Sequence, residues 1–124
     1  MKITRVETIR LDEFTNLLWV RVHTDSGVIG LGETFFGARA AEAYIHETAA
    51  PSLIGRDPLQ IERIARDLTP YIGFAGTGAE PRGRSAIDIA LWDLKGKALG
   101  LPVCQLIGGQ QKDKVIAVGS IIFD

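Results

Sequence analysis

One stretch that predicts a helix apolar around most of its circumference constrains the fold more than any other. Residues 85–99 read SAIDIALWDLKGKAL and leave only a narrow polar stripe. Ser85 is predicted as the N-cap, and Asp88 suits the positive end of the helix dipole. Gly100 and Pro102 predict the end of the helix. Such a helix needs neighbours on more than one side, so we predict that it is buried by the rest of the chain.

Three strands are predicted before this helix. Residues 3–11 are rich in β-branched side chains, and Leu17–Thr24 alternates strictly, with Leu18, Val20 and Val22 on one face. Asp25, Ser26 and Gly27 predict a hairpin turn into a third strand at residues 28–33. The pattern indicates a three-stranded antiparallel meander.

Helices follow the predicted sheet. Residues 39–50 have the period of a helix that Pro51 ends or kinks. A second helix is expected to start at Asp57 as N-cap, with Pro58 in its first position and Gln60 reaching back in a capping box. Its buried stripe is predicted to be Ile61, Ile64, Ala65 and Leu68. Residues 71–83 are predicted as a glycine-rich loop, and residues 115–123 as a further apolar strand with nothing after it to pair with.

Composition excludes several classes of function. A hydrophobic fraction of 46% with 23% charged residues is typical of a globular protein, and a net charge of −1 without a basic stripe argues against nucleic-acid binding. No signal peptide or membrane span is apparent, so a cytoplasmic protein is expected, with no membrane partner. The single cysteine, Cys104, lies in an apolar turn and is predicted to be a small buried side chain.

The helix also resembles a known family. The run SAIDIALWDLKGKALGLPV, followed by Leu106-Ile107-Gly108-Gly109, is similar to the segment that links the N-terminal capping domain to the barrel in the enolase superfamily, in its mandelate racemase/muconate lactonizing enzyme group. Similarity extends to residues 1–11, 30–33 and 53–58, and so to nearly the whole chain.

The resemblance implies an α+β fold: a three-stranded antiparallel meander, then a helical bundle, then the first strand of a (β/α)8 barrel. Residues 1–111 are expected to form the capping domain with its linking helix, and residues 112–124 the first barrel strand. Since a barrel takes about 250 residues, the chain is expected to be a fragment. Its exposed apolar surface would then meet its own C-terminal barrel, and a homo-oligomer is expected.

For the complete enzyme the resemblance implies abstraction of an α-proton from a carboxylate substrate, with Mg²⁺ stabilising the enediolate. Dehydration of a sugar acid by loss of a β-hydroxyl is the leading expectation. Racemisation or epimerisation of a 2-hydroxy acid or amino-acid derivative, and cycloisomerisation, remain open. By itself the 124-residue chain is expected to be inactive, so a non-catalytic interaction module is the alternative from another class.

The family's bases and metal ligands lie on barrel strands, so no catalytic residue and no metal ligand is expected in this chain. Lys95 with Lys97, and Lys112 with Lys114, are predicted to be solvated instead. Asp88 and Asp93 project about 140° apart on a helix, so they cannot hold one ion together. We predict that Asp93 pairs with Lys97. His23 and His46 are predicted to be surface or packing residues.

Two loops are the candidate functional site. In the family, the loop after the first strand and the loop after the third close over the barrel mouth and contact substrate. By position these are residues 12–16 and 34–37, which we call the lid loops. The candidate substrate-binding residues are Phe14, Thr15, Asn16, Thr34, Phe35 and Phe36. The phenylalanines would exclude water, while Asn16 and Thr34 would hydrogen-bond substrate hydroxyls. Alternatively, the phenylalanines only fill the seam between cap and barrel.

Overall fold

The computed structural model describes residues 1–69 and 77–119. Three antiparallel strands, β1 (Ile3–Ile9), β2 (Leu17–Thr24) and β3 (Ile29–Phe35), form a sheet in the order β1-β2-β3. The helices are α1 (Ala38–Tyr44), α2 (Ala50–Leu53), α3 (Ile61–Asp67), α4 (Ala79–Leu99) and α5 (Val103–Leu106). The predicted meander followed by helices is confirmed. The fold is α+β.

Alternation in β2 is as predicted, since Leu18, Val20 and Val22 are fully buried. Gly27 forms the hairpin turn with a positive φ of 81°. β1 ends at Ile9 rather than at residue 11, and β3 continues to Phe35 rather than ending at residue 33. The third strand is longer because Thr34 pairs with Leu18 and Phe35 with Leu17, so the ladder extends to the start of β2.

Pro51 does not end the first helical segment, so of the predicted end or kink the end is wrong. After α1 the chain widens into a π-helical segment, Ile45–Ala49, and continues into α2 as far as Leu53. Pro51 has no N–H to donate, and a π segment accommodates this gap without breaking the helix. Ala41, Ile45 and Ala49 are fully buried, as the periodicity predicted.

The second helix begins later than predicted. Asp57 accepts a hydrogen bond from the Leu59 N–H (3.0 Å) in a turn, and α3 starts only at Ile61. Gln60 does not form a capping box, because its Oε1 accepts from Arg63 Nη1 (3.3 Å). Ile61, Ile64 and Leu68 are buried as predicted, whereas Ala65 is exposed.

The apolar helix α4 begins at Ala79, so Ser85 is not its N-cap and Asp88 does not lie at its positive end. Glycine at residue 83 suggested a loop, but this glycine is buried inside α4, where a Cβ would lie 2.6 Å from Tyr44 Cδ1. Part of the predicted 71–83 loop therefore belongs to α4, and residues 70–76 lie outside the described residues. Gly100 ends the helix in the left-handed conformation, as predicted.

Helix α4 lies directly on β3. Gly30 and Gly32 are the two buried glycines of that strand, and a Cβ on either would meet the backbone carbonyl oxygen of Ala90 or Ala86. A Cβ on Gly30 would also lie 2.7 Å from Leu94 Cβ. The absence of two side chains on β3 is what lets the helix backbone approach the sheet this closely.

One ion pair on α4 also covers the free edge of β3. Asp93 Oδ2 accepts a hydrogen bond from the Leu31 N–H (2.7 Å), and Lys97 Nζ donates to the Ile29 carbonyl (2.9 Å). The two side chains pair with each other at 2.6 Å, which confirms the predicted i,i+4 pair. Two backbone groups that a sheet edge would expose are thereby satisfied.

The end of the described chain departs from two predictions. Cys104 is exposed, because α5 has no buried residue. Residues 115–119 form no strand, and Val115, Ile116 and Val118 are 84–92% exposed. A strand needs a hydrogen-bonded neighbour, and the described residues supply none here. Residues 120–124 lie outside the described residues, so the division at residue 111 stays a prediction. No helix within residues 1–69 and 77–119 is long and apolar enough to cross a membrane.

Replacing Gly30 by alanine is expected to destabilise the fold by about 3 kcal/mol, because the new methyl group forces α4 away from β3. Gly119→Ala is the matched control, since nothing lies within 4 Å of the position and its φ is not positive. Urea unfolding followed by circular dichroism measures both. Equal stability of the two variants would contradict the close packing of α4 on β3.

Candidate functional site

The two lid loops meet at one end of the sheet. The first contains a 3-10 turn, Asp12–Phe14. Its last residue, Asn16, accepts a hydrogen bond from the Phe36 N–H through its carbonyl oxygen (2.8 Å). Thr34 and Phe35, predicted as loop residues, lie at the end of β3 instead. The structure therefore brings together the two segments that the sequence predicted to act as a unit.

Most of the candidate side chains face outward. Phe14, Phe35 and Phe36 are 50%, 60% and 59% exposed, while Thr15 and Asn16 are exposed and Thr34 is partly buried. Large exposed aromatic side chains that are close together mark a surface that meets a ligand or another part of a protein.

The Phe35–Phe36 pair, which we call the aromatic corner, has an unusual backbone. Phe36 has a φ of +68° and is the only non-glycine residue with positive φ among the described residues. Gly37 follows with a φ of +70°. A phenylalanine in the left-handed region costs roughly 1 kcal/mol, so other contacts must maintain the conformation.

Arg82, which the sequence analysis did not single out, contacts this corner from α4. Its Nη1 donates to the Phe35 carbonyl oxygen (2.8 Å), and its guanidinium carbon lies 5.9 Å from the Phe35 ring centroid and 5.2 Å from that of Phe36. No sequence signal near residue 82 indicated this role, because the contact joins residues 47 positions apart. A cavity of about 290 Å³ adjoins the arginine, lined by Thr34, Thr77, Gly78, Pro81, Arg82 and Ser85.

His23 lies within a charged cluster on the outer face of the sheet. Its Nε2 lies 2.9 Å from Glu7 Oε2 and 3.1 Å from Arg5 Nη2, and Arg21 Nη1 is 3.4 Å from the same carboxylate. The hydrogen bond from His23, helped by the charges of Arg5 and Arg21, holds the pKa of Glu7 below its ordinary value. The cluster links the side chains of β1 and β2 across the sheet.

His46 belongs to a second cluster, which ties the π-helical segment to β1. Thr8 Oγ1 lies 2.7 Å from His46 Nε2 and donates to Glu42 Oε1 (2.8 Å), while Arg10 Nε donates to Glu42 Oε2 (2.7 Å). Burial alone would raise the pKa of Glu42, but these hydrogen bonds and the Arg10 charge lower it. Both histidines therefore have packing partners of the kind the sequence analysis expected.

The remaining charged candidates are dispersed. Lys95 Nζ lies 5.1 Å from the Trp92 ring centroid, Lys97 pairs with Asp93, and Lys112 and Lys114 are exposed. Asp88 lines a cavity of about 350 Å³ between α3 and α4. Burial, and then the nearby charge of Glu62, raise the pKa of Asp88.

A magnesium site does not fit the described residues. Within residues 1–69 and 77–119, no three His, Cys, Asp or Glu side chains are grouped so that they could hold a metal ion. The carboxylate of Asp93 already accepts hydrogen bonds from Lys97 Nζ and from the Leu31 N–H. No chemical step through a metal can be assigned to these side chains.

Comparison with known proteins assigns the family. The profile of the mandelate racemase/muconate lactonizing enzyme N-terminal domain matches residues 6–108. The chain belongs to this family. As a mandelate racemase/muconate lactonizing enzyme N-terminal domain, it carries its lid loops within the matched range.

Relatives of this N-terminal domain include a D-galactonate dehydratase from Pectobacterium atrosepticum, 41% identical over 94% of this chain and 30% of that protein. An enolase of the mandelate racemase subgroup from Agrobacterium tumefaciens, known from a crystal structure, is 63% identical with a TM-score of 0.86. The match covers 88% of this chain and 30% of the Agrobacterium chain. An enolase from Pantoea ananatis with bound D-gluconate and Mg is 38% identical with a TM-score of 0.81, and the match covers 90% of this chain and 28% of the Pantoea chain. The chain therefore spans about 30% of the length of the first relatives it matches.

Replacing Asp88 by asparagine is expected to raise the midpoint of thermal unfolding at pH 7. The raised pKa means that the folded state favours the protonated carboxyl, so its contribution to stability is present below the ordinary pKa of 3.8 and lost as pH rises through the folded-state value. The gain from Asp88→Asn should shrink as pH falls toward that ordinary value.

Asp93→Asn is the control on the same helix and should have the opposite effect at pH 7, because it removes the charge that pairs with Lys97. Thermal unfolding at several pH values measures both variants. A pH-independent difference between wild type and Asp88→Asn would contradict the assignment.

Proposed function

We propose that this chain is the capping domain of a sugar-acid dehydratase and that its lid loops close the substrate site and help select the substrate. The observation that carries the proposal is the hydrogen bond from the Phe36 N–H to the Asn16 carbonyl. It joins two loops that are distant in sequence into one surface, with three exposed phenylalanines and three side chains that can hydrogen-bond.

The residues of this chain have binding roles in the proposal. Phe14, Phe35 and Phe36 exclude water from the site, and Thr15, Asn16 and Thr34 hydrogen-bond hydroxyl groups of an extended sugar acid. Exclusion of water strengthens the electrostatic interactions that stabilise a developing enediolate. Loops on a rigid scaffold are suited to this, because they vary without disturbing the core.

The groups that move protons are assigned to polypeptide outside this chain, in a (β/α)8 barrel. Dehydration removes the proton at C2 and expels the C3 hydroxyl as water, and the resulting enol becomes a 2-keto-3-deoxy acid. Mg²⁺ would supply electrostatic stabilisation of the enediolate, with ligands from the barrel. The D-galactonate dehydratase relative and the structure with bound D-gluconate and Mg support a sugar acid as substrate.

The proposal is tested with a longer polypeptide that contains this chain and its barrel, assayed with Mg²⁺ on D-galactonate, D-gluconate, D-mannonate and D-xylonate for release of 2-keto-3-deoxy acid. We expect turnover of at least one acid. Phe36→Ala should raise KM by about tenfold, because a substrate contact is lost, and should lower kcat by a smaller factor, because water then enters the site. Ile54→Ala, at a side chain that is 49% exposed on another surface, is the matched control and should change neither.

Three results would contradict the proposal. Exchange of the α-proton with deuterium from solvent without loss of water would point to racemisation or epimerisation. Turnover by the 124-residue chain alone would show that its own side chains are catalytic. If Phe36→Ala left KM unchanged for every acid, the phenylalanines would only fill the seam between cap and barrel.

A further inference from the structure

The orientation of the aromatic corner cannot come from burial. Phe35 and Phe36 are 60% and 59% exposed, and a side chain this exposed normally samples several rotamers. The positive φ of Phe36 is also unfavourable without compensating contacts. A surface that selects a substrate needs defined ring positions, so the corner requires a specific support.

Arg82 supplies contacts to both residues of the corner. One nitrogen of its guanidinium donates to the Phe35 carbonyl, and the guanidinium carbon is within 6 Å of both ring centroids, at 5.9 and 5.2 Å. The two rings contact each other edge to face, with centroids 6.2 Å apart. A planar, delocalised cation can donate a hydrogen bond and lie against aromatic rings at the same time.

The support is rigid because Arg82 lies on α4. The neighbouring residue, Gly83, is buried against Tyr44, and further along the helix Ala86 and Ala90 contact Gly32 and Gly30 of β3. The helix therefore has little freedom to slide or rotate. Its packing on the sheet sets the position of the guanidinium relative to the end of β3.

We propose that Arg82 is a positioning residue that fixes the aromatic corner and thereby acts on substrate selection through Phe35 and Phe36. This inference rests on the proposed lid function. Its structural half, that Arg82 fixes the aromatic corner, can be tested independently of that function. Arg82 itself need not touch substrate. The same contacts, with the Phe36–Asn16 hydrogen bond, maintain the left-handed conformation of Phe36.

The structural half is tested in the 124-residue chain by amide hydrogen exchange and by the NMR ring resonances of Phe35 and Phe36. Arg82→Gln and Arg82→Lys should each speed exchange of the Phe36 amide by about tenfold, because the corner loses a charge-assisted contact. Exchange in the middle of β2 should not change. Lysine keeps the charge and stem but cannot bond the carbonyl and face both rings, so it should not restore the protection.

Arg66→Gln, at an exposed arginine in the last turn of α3, is the matched control and should leave the Phe36 amide and both ring signals unchanged. Unchanged Phe36 exchange and ring signals in Arg82→Lys, which keeps the side chain's volume and charge and so preserves the fold, would overturn the inference.

The functional half uses the longer polypeptide with its barrel. Arg82→Gln should raise KM for the preferred sugar acid by about tenfold and lower kcat less. Faster Phe36 exchange combined with unchanged KM would show that Arg82 positions the corner but that the corner does not select substrate, which overturns the proposed lid function. Unchanged exchange would instead overturn the role of Arg82 alone.

Discussion

The close approach of α4 to β3 is the constraint on which the rest of the structure depends. Two glycines separated by one residue remove the side chains that would hold the helix away, and backbone meets backbone at Ala86 and Ala90. Helix α4 is thus fixed in position against the sheet, and this position determines where its side chains meet β3. At one end this is Arg82 and the aromatic corner, and further along it is Asp93 and Lys97 at the edge of β3.

The sequence predicted the elements well where a single periodicity applies. β2 is confirmed in its bounds and its faces, because its alternation is strict and one side is buried. The core role of α4 and its end at Gly100 are confirmed for a similar reason: an apolar helix with a glycine after it has few alternatives. The predicted loops of the candidate site were found at one end of the sheet, which follows from the order of an antiparallel meander.

The errors arose where tertiary contacts outweigh local signals. Ser85 is a favourable N-cap residue, yet the helix starts at Ala79. Gly83 lies inside the helix because it packs against Tyr44, so the glycine does not begin a loop. Pro51 is a helix breaker by itself, but a π-helical segment before it absorbs the missing hydrogen bond. Burial of Cys104 was inferred from apolar neighbours, and α5 has no buried residue. The role of Arg82 could not be predicted from the sequence, since its contact with Phe35 depends on which residue α4 places beside the end of β3.

The cover that Asp93 and Lys97 place over β3 limits how this sheet can grow. A fourth strand at that side would have to displace two charged contacts to reach the Leu31 N–H and the Ile29 carbonyl. At the other side, the start of β1 is already bonded to the chain near Arg56, through the Ile3 N–H and the Ile3 carbonyl. Pairing with a strand of another copy is therefore disfavoured at Ile29 and Leu31 on one edge of the sheet and at the start of β1 on the other.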